Sequence, residues 1–131
     1  MIEVNNLTRI PLDKGFLKRV AEIVLRGENK KELDVSLAIV AQNRIRELNK
    51  KYRGKNKATD VLSFQEPLEI VICLREVKNN AKRFGQGEKQ ELAKVLIHGI
   101  LHILGYNHKE NRGKTDPMSE KENYYLSLIF S

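Results

Sequence analysis

Residues 88–108 read EKQELAKVLIHGILHILGYNH, and the rest of the chain is read outward from them. Glu88 to Leu104 has the spacing of a helix, and after Val95 it is apolar nearly all round. A helix without a polar stripe belongs in an interior, so this one should run through the core with other elements packed about it. All three histidines of the chain, His98, His102 and His108, lie in this stretch, and polar groups on a buried element need partners. His98 and His102 are four residues apart, which puts both rings on one helix face with Cβ atoms about 6 Å apart. Gly105 suits a helix C-terminus with positive φ. The turn through Tyr106 and Asn107 can bring His108 back toward the other two rings. Three imidazoles leave the fourth corner of a tetrahedral zinc open, the arrangement of catalytic sites. Nickel, cobalt or iron would accept the same three nitrogens.

The elements around this helix come from periodicity. IEVNN (2–6) is a short strand, and Asp13 to Leu25 is an amphipathic helix with Phe16, Leu17, Val20, Ile23 and Val24 at helical spacing and Gly27 as its stop. LDVSLAIVA (33–41) places Leu33, Val35, Leu37, Ile39 and Ala41 at strand period with one face in the core, and Gln42 to Lys51 returns to helix with Ile45 and Leu48 inward. RGKNKATD (53–60) reads as a loop, VLSF (61–64) and EIVICL (69–74) as strands, and 75–84 as a helix before Gly85. Asp116 before Pro117 is an N-cap with proline at the first helical position, so a final helix starts there. Strands alternate with helices early and helices dominate later. The expected fold is α+β: a small mixed sheet packed with helices, with a zincin-like metal-binding helix in the core.

With 131 residues, 40% of them hydrophobic and 31% charged, the chain reads as a single folded domain spanning 1–131. The lone Cys73 lies in an apolar run and reads as a buried, inert thiol rather than a reactive one. One unpaired cysteine and no signal-peptide pattern point to the cytoplasm. No apolar run approaches the roughly 20 residues that span a bilayer, so no membrane partner is expected. The net charge of +7 is concentrated: residues 43–57, NRIRELNKKYRGKNK, hold seven basic groups and one acidic. Such a block is either a solvated helix end or a surface that attracts phosphates.

The spacing H-x-x-x-H-x-x-G-x-x-H is similar to that of the metzincin zinc proteases. Those enzymes carry a glutamate base directly after the first histidine, whereas this chain carries Gly99. Glycine inside a helix costs about 1 kcal/mol relative to alanine. Two compensations are open: room for substrate or a strand beside the metal, or close helix packing in the core.

HGILHILGYNH (98–108) together with YRGKNKATDVLSF (52–64) and the strand EIVIC (69–73) resembles the YbeY-type endoribonucleases, bacterial ribosomal-RNA maturation factors. The resemblance extends over most of the chain in element order. It implies a small α+β fold, one zinc held by His98, His102 and His108, a functional arginine at Arg53, and cleavage of single-stranded RNA. It also implies work on the 3′ end of small-subunit rRNA and in ribosome quality control, with the ribosome or its small subunit as partner. Arg53 would then grip phosphate oxygens. The basic block would guide RNA through Arg44, Arg46, Lys50, Lys51, Lys55 and Lys57, with Tyr52 as a stacking surface. Asp60, Glu69 and Glu110 are the carboxylates to test as a base, while Ser63 and Thr59 read as hydrogen-bonding turn or strand residues. The chain departs from the family pattern at Asn107, where aspartate is usual, at Leu68-Glu69 in place of glycine–aspartate, and at Ala58 and Gln65 in place of proline. Two other readings stay open. One is a metallopeptidase-like metal hydrolase; the other is a non-enzymatic RNA-binding assembly factor with a structural metal.

Overall fold

Strand alternation in the middle of the chain produces a sheet with two apolar faces of unequal cover. In the computed structural model, which describes residues 1–107 and 116–130, the elements are β1 (Ile2–Asn6), α1 (Lys14–Gly27), β2 (Val35–Ile39), α2 (Gln42–Arg53), β3 (Val61–Gln65), β4 (Leu68–Ile72), α3 (Leu74–Arg83), α4 (Glu88–Ile103) and α5 (Pro117–Ile129). The sheet order is β1-β2-β4-β3. The β1–β2 and β2–β4 pairs are parallel, and β3 runs antiparallel to β4 as an edge strand. The fold is therefore α+β with a four-stranded mixed sheet and five helices among the described residues.

Odd and even positions divide the strands between two cores. Val35, Leu37 and Ile39 of β2 and Ile70 and Ile72 of β4 face the large core, where they meet Leu17, Val20 and Val24 of α1 and Leu96, Ile97, Ile100 and Leu101 of α4. Each such side chain contributes about 1.5–3 kcal/mol on burial. Ala38, Val40, Val71 and Cys73 face the other way, into a smaller buried cluster with Leu62 of β3 and Ile45 of α2, edged by Leu48. Burial pushes the Cys73 thiol pKa up, which keeps it protonated and inert.

α4 packs against α1, α3, α5, β3 and β4, the central position its apolar sequence predicts. The cap read from sequence at Asp116 is made, and Asp13 supplies another that the sequence reading did not name. Asp13 accepts from the Phe16 N–H at 3.0 Å, and Asp116 accepts from the Ser119 N–H at 2.9 Å. Several boundaries move: β2 narrows to Val35–Ile39, and Leu74, expected in the last strand, opens α3. α2 continues through Arg53, expected in a loop, because Gly54 supplies the left-handed residue (φ +70°) that ends a helix. Its N–H reaches the Lys50 carbonyl at 3.1 Å, and the Lys55 N–H reaches that of Asn49 at 3.3 Å. Gly27, expected as a stop, is the last residue of α1 and serves another purpose. A Cβ there would lie 2.6 Å from Cε1 and 2.8 Å from Cζ of Tyr125, so the glycine admits the α5 ring. No helix among the described residues is long and apolar enough to cross a membrane.

Candidate active site

α4 sets the first wall of the site. Its four-residue spacing brings His98 and His102 onto one face, with ring centroids 6.4 Å apart and planes inclined by 24°. The helix itself is buried, but this face is open: His98 is half-buried and His102 is exposed. α4 ends at Ile103 with Leu104 as its C-cap, one residue short of the expected end, and Gly105 adopts φ +102°. The Tyr106 N–H then bonds to the Leu101 carbonyl at 3.0 Å, closing the turn. The expected ligand His108 lies outside the described residues, as does Glu110. Among the described residues no third histidine, cysteine or carboxylate joins the pair in a metal-binding group.

Gly99 owes its place to packing. A Cβ would stand 3.2 Å from Cγ2 of Ile70, 3.3 Å from Oγ of Ser63 and 3.4 Å from Cγ2 of Val61. The missing side chain lets α4 lie close on β3 and β4, and the Ser63 hydroxyl donates to the Gly99 carbonyl at 3.3 Å. Of the compensations open from sequence, the room is taken by strands β3 and β4, and Val61 and Ser63 of β3 also line the cleft.

The second wall comes from β3 and the end of α2. Tyr52, Arg53, Val61, Leu62, Ser63, Phe64, His98 and His102 line one cavity of about 440 Å³. Arg53 lines this cleft from the last position of α2, before Gly54 ends the helix. The buried Asn49 holds the following loop by donating from Nδ2 to the Lys57 carbonyl at 2.9 Å. Tyr52 and Phe64 meet edge to face with centroids 5.2 Å apart, and the Lys51 ammonium lies 5.2 Å from the Tyr52 ring centre.

The basic block is not gathered into the cleft as a whole. Arg44, Arg46, Lys50, Lys51, Lys55 and Lys57 are all exposed, and only Tyr52 and Arg53 of the block line the cavity. Arg44 pairs with Glu47 at 3.3 Å and borders a separate groove on the lightly covered face of the sheet. Glu69 borders that groove too, away from the histidines. Asp60 is engaged elsewhere: its carboxylate accepts from Asn80 Nδ2 at 3.2 Å and from the Thr59 hydroxyl at 3.4 Å. Of the three proposed bases, Asp60 and Glu69 do not line the cleft and Glu110 lies outside the described residues; no carboxylate lines the cleft among the described residues.

The residue that sequence reading missed is Glu122. Its Oε1 lies 2.8 Å from Nδ1 of His98, although the two are 24 positions apart. A signal existed. Met118, Glu122 and Tyr125 are the buried residues of α5 and fall on one stripe, so a carboxylate stands at an apolar position. A second buried carboxylate braces the turn after α4. Glu28 accepts from the Tyr106 hydroxyl at 2.6 Å and from the Tyr125 hydroxyl, and Lys121 Nζ lies 3.4 Å from it. Burial raises the Glu28 pKa, but the bonds from Tyr106 and Tyr125 and the Lys121 charge outweigh it, and the net shift is downward. The same carboxylate, with burial, pushes Tyr106 up to about 12. Burial first, then the Glu28 bond, also raises Tyr125.

Comparison with known proteins follows this geometry. Residues 3–129 match the family model described as Endoribonuclease YbeY. A protein of that name from Chlorobium luteolum is 32% identical, with 98% of each chain covered. Another from Helicobacter pylori is 34% identical over 98% of this chain and 96% of its own. The solution structure of TM1509 from Thermotoga maritima superposes with a TM-score of 0.69 at 30% identity, covering 99% of this chain and 89% of that one. A match that spans nearly the whole chain, in sequence and in fold, places this protein in the Endoribonuclease YbeY family.

Proposed function

We propose that the chain is a zinc-dependent endoribonuclease specific for single-stranded RNA, one domain over 1–131, acting in the cytoplasm. Its place would be in 16S rRNA 3′-end maturation and ribosome quality control, with the small ribosomal subunit as partner. The observation that carries the reading is one cavity lined at once by two stacked imidazoles, His98 and His102, and by an arginine, Arg53.

The donor set fits a divalent transition metal. Two imidazoles stand side by side on a rigid helix, and imidazole nitrogen suits zinc, nickel, cobalt and iron. His98 and His102 would hold the ion, with His108 as the third ligand proposed from sequence. When bound, zinc supplies a Lewis acid that favours charge on a phosphoryl oxygen. The remaining work falls to the chain. Arg53, at the end of α2, meets the phosphodiester with a planar fork of donors that can hold two of its oxygens as negative charge grows. Tyr52 and Phe64 offer aromatic edges and faces beside it, against which an unpaired base can stack. A base held in a duplex cannot turn to such a surface, which accounts for the single-strand preference. Arg44, Arg46, Lys50, Lys51, Lys55 and Lys57 raise the local concentration of RNA without touching the reacting atoms. Gly99 stands where metzincins carry their glutamate base, which disfavours the peptidase reading.

The test combines metal analysis of the purified protein with cleavage of single-stranded RNA, duplex RNA and an unstructured peptide. Stoichiometric metal, with cleavage of the single strand that disappears in His102→Ala, supports the reading. A metal-loaded wild type that never cuts RNA favours the assembly-factor reading. Peptide cleavage that the same variant abolishes favours the hydrolase reading.

A further inference from the structure

We propose that Glu122 is a positioning residue for His98, holding its proton on Nδ1 and its lone pair on Nε2 so that the ring is presented as a metal ligand. This inference rests on the metal reading of the cleft given above. The geometry is direct: Oε1 of Glu122 lies 2.8 Å from Nδ1 of His98. A carboxylate accepts hydrogen bonds, so the nitrogen facing it donates, and the ring's lone pair is then on the other nitrogen. Ligating histidines that give their second N–H to a carboxylate gain a defined tautomer, a fixed ring plane and a more basic donor nitrogen.

The placing of Glu122 argues for a purpose. It is 8% exposed and falls between Met118 at 0% and Tyr125 at 1% on the same stripe of α5. A leucine there would pack without cost, whereas burying a carboxylate is expensive unless it is paired. The register that delivers it is held at both ends. Asp116 caps the start of α5 through Ser119, and Tyr125 enters the space left by Gly27 to reach Glu28. About one helical turn before Tyr125, Glu122 arrives at Nδ1 of His98.

The test uses the full-length chain and has two readouts. In metal-free protein, long-range proton–nitrogen correlation of the histidine rings reports the tautomer of His98. Zinc affinity is measured in competition with a chromophoric chelator. Wild type is expected to show Nδ1–H for His98, and Glu122→Ala to lose that preference and bind zinc about 10–100-fold more weakly. Glu122→Gln, which keeps an acceptor oxygen at the same place, is expected to retain the tautomer and lose less affinity, and it serves also if the alanine variant does not fold. An Nε2–H tautomer in wild type overturns the proposal. So does zinc affinity unchanged within about threefold in a folded Glu122→Ala protein whose tautomer has changed. A wild type that shows the Nδ1–H tautomer yet binds no zinc or other divalent metal overturns the metal reading itself and the proposal with it. That outcome is distinguishable from failure of Glu122 alone.

Discussion

His98 and Arg53 face the same cavity, but the elements that carry them are built differently. The histidines stand on α4, which is packed on several sides, and the first ring is backed by a buried carboxylate from α5. Arg53 stands on α2, which touches the sheet mainly through Ile45 and Leu48 and leaves its basic side chains in solvent. The contrast suits two tasks. Groups that must share one ion need fixed separations, and a dense core supplies them. Groups that must collect a long, flexible anion need reach and field, which long exposed side chains supply.

Substitutions on each wall should therefore fail in different ways. The largest effect belongs to the α4 wall. His102→Ala should abolish metal retention and lower RNA cleavage by several kcal/mol of barrier, about a thousandfold, with a melting curve that checks the fold. Next is Arg53→Ala, with about a hundredfold loss in kcat and little change in stability or metal content. Arg53→Lys should recover only part of it, because an ammonium cannot grip two oxygens as a guanidinium does. An Arg53→Ala protein that has lost its metal would show that the two walls are not separate.

The brace behind α4 comes third. Gly27→Ala should cost about 1–3 kcal/mol in denaturant unfolding, since its Cβ overlaps the Tyr125 ring. Combining it with Tyr125→Leu should recover part of the loss. The brace also titrates. Glu28 has a folded pKa below its ordinary 4.5, so its contribution is present above that pH and is lost as the pH falls through the lowered value. Tyr106 is raised from 10.0 to about 12, so its contribution is full below pH 10 and is lost as the pH rises between those values. Tyr106→Phe should cost about 1 kcal/mol at neutral pH and flatten that alkaline limb, measured by urea unfolding across pH. The smallest effects belong to the exposed wall. Lys50→Ala or Lys55→Ala should weaken RNA binding severalfold at low salt, and each should reduce the slope of log affinity against log salt by about 0.7. Neither should alter zinc affinity.

Local signals account for the parts of the fold that were readable. Asp116 and Gly105 act on the few residues beside them, so their effects are independent of the tertiary fold. Alternation in 33–41 assigned the faces of β2 because strand period is a property of the backbone. Periodicity ends α2 at Lys51, whereas Gly54 in the left-handed conformation carries the helix on to Arg53. Gly99 shows the opposite limit. Its glycine answers to Ile70, Ser63 and Val61, and no spacing within the helix could tell packing from substrate room. Asp60 and Glu69 were reasonable bases by residue type, yet Asn80 occupies the first and the second borders another groove.

The sequence alone determined that two imidazoles share a helix face, that this helix is the interior one, and that excess positive charge sits in a single block. Each follows from periodicity or composition, which need no knowledge of what lies nearby. Tertiary structure decided that Arg53 shares a cavity with those rings, that Glu122 stands behind one of them, and that two glycines exist to admit neighbours. Those are contacts between residues far apart in the chain, and only the packing of elements against one another creates them.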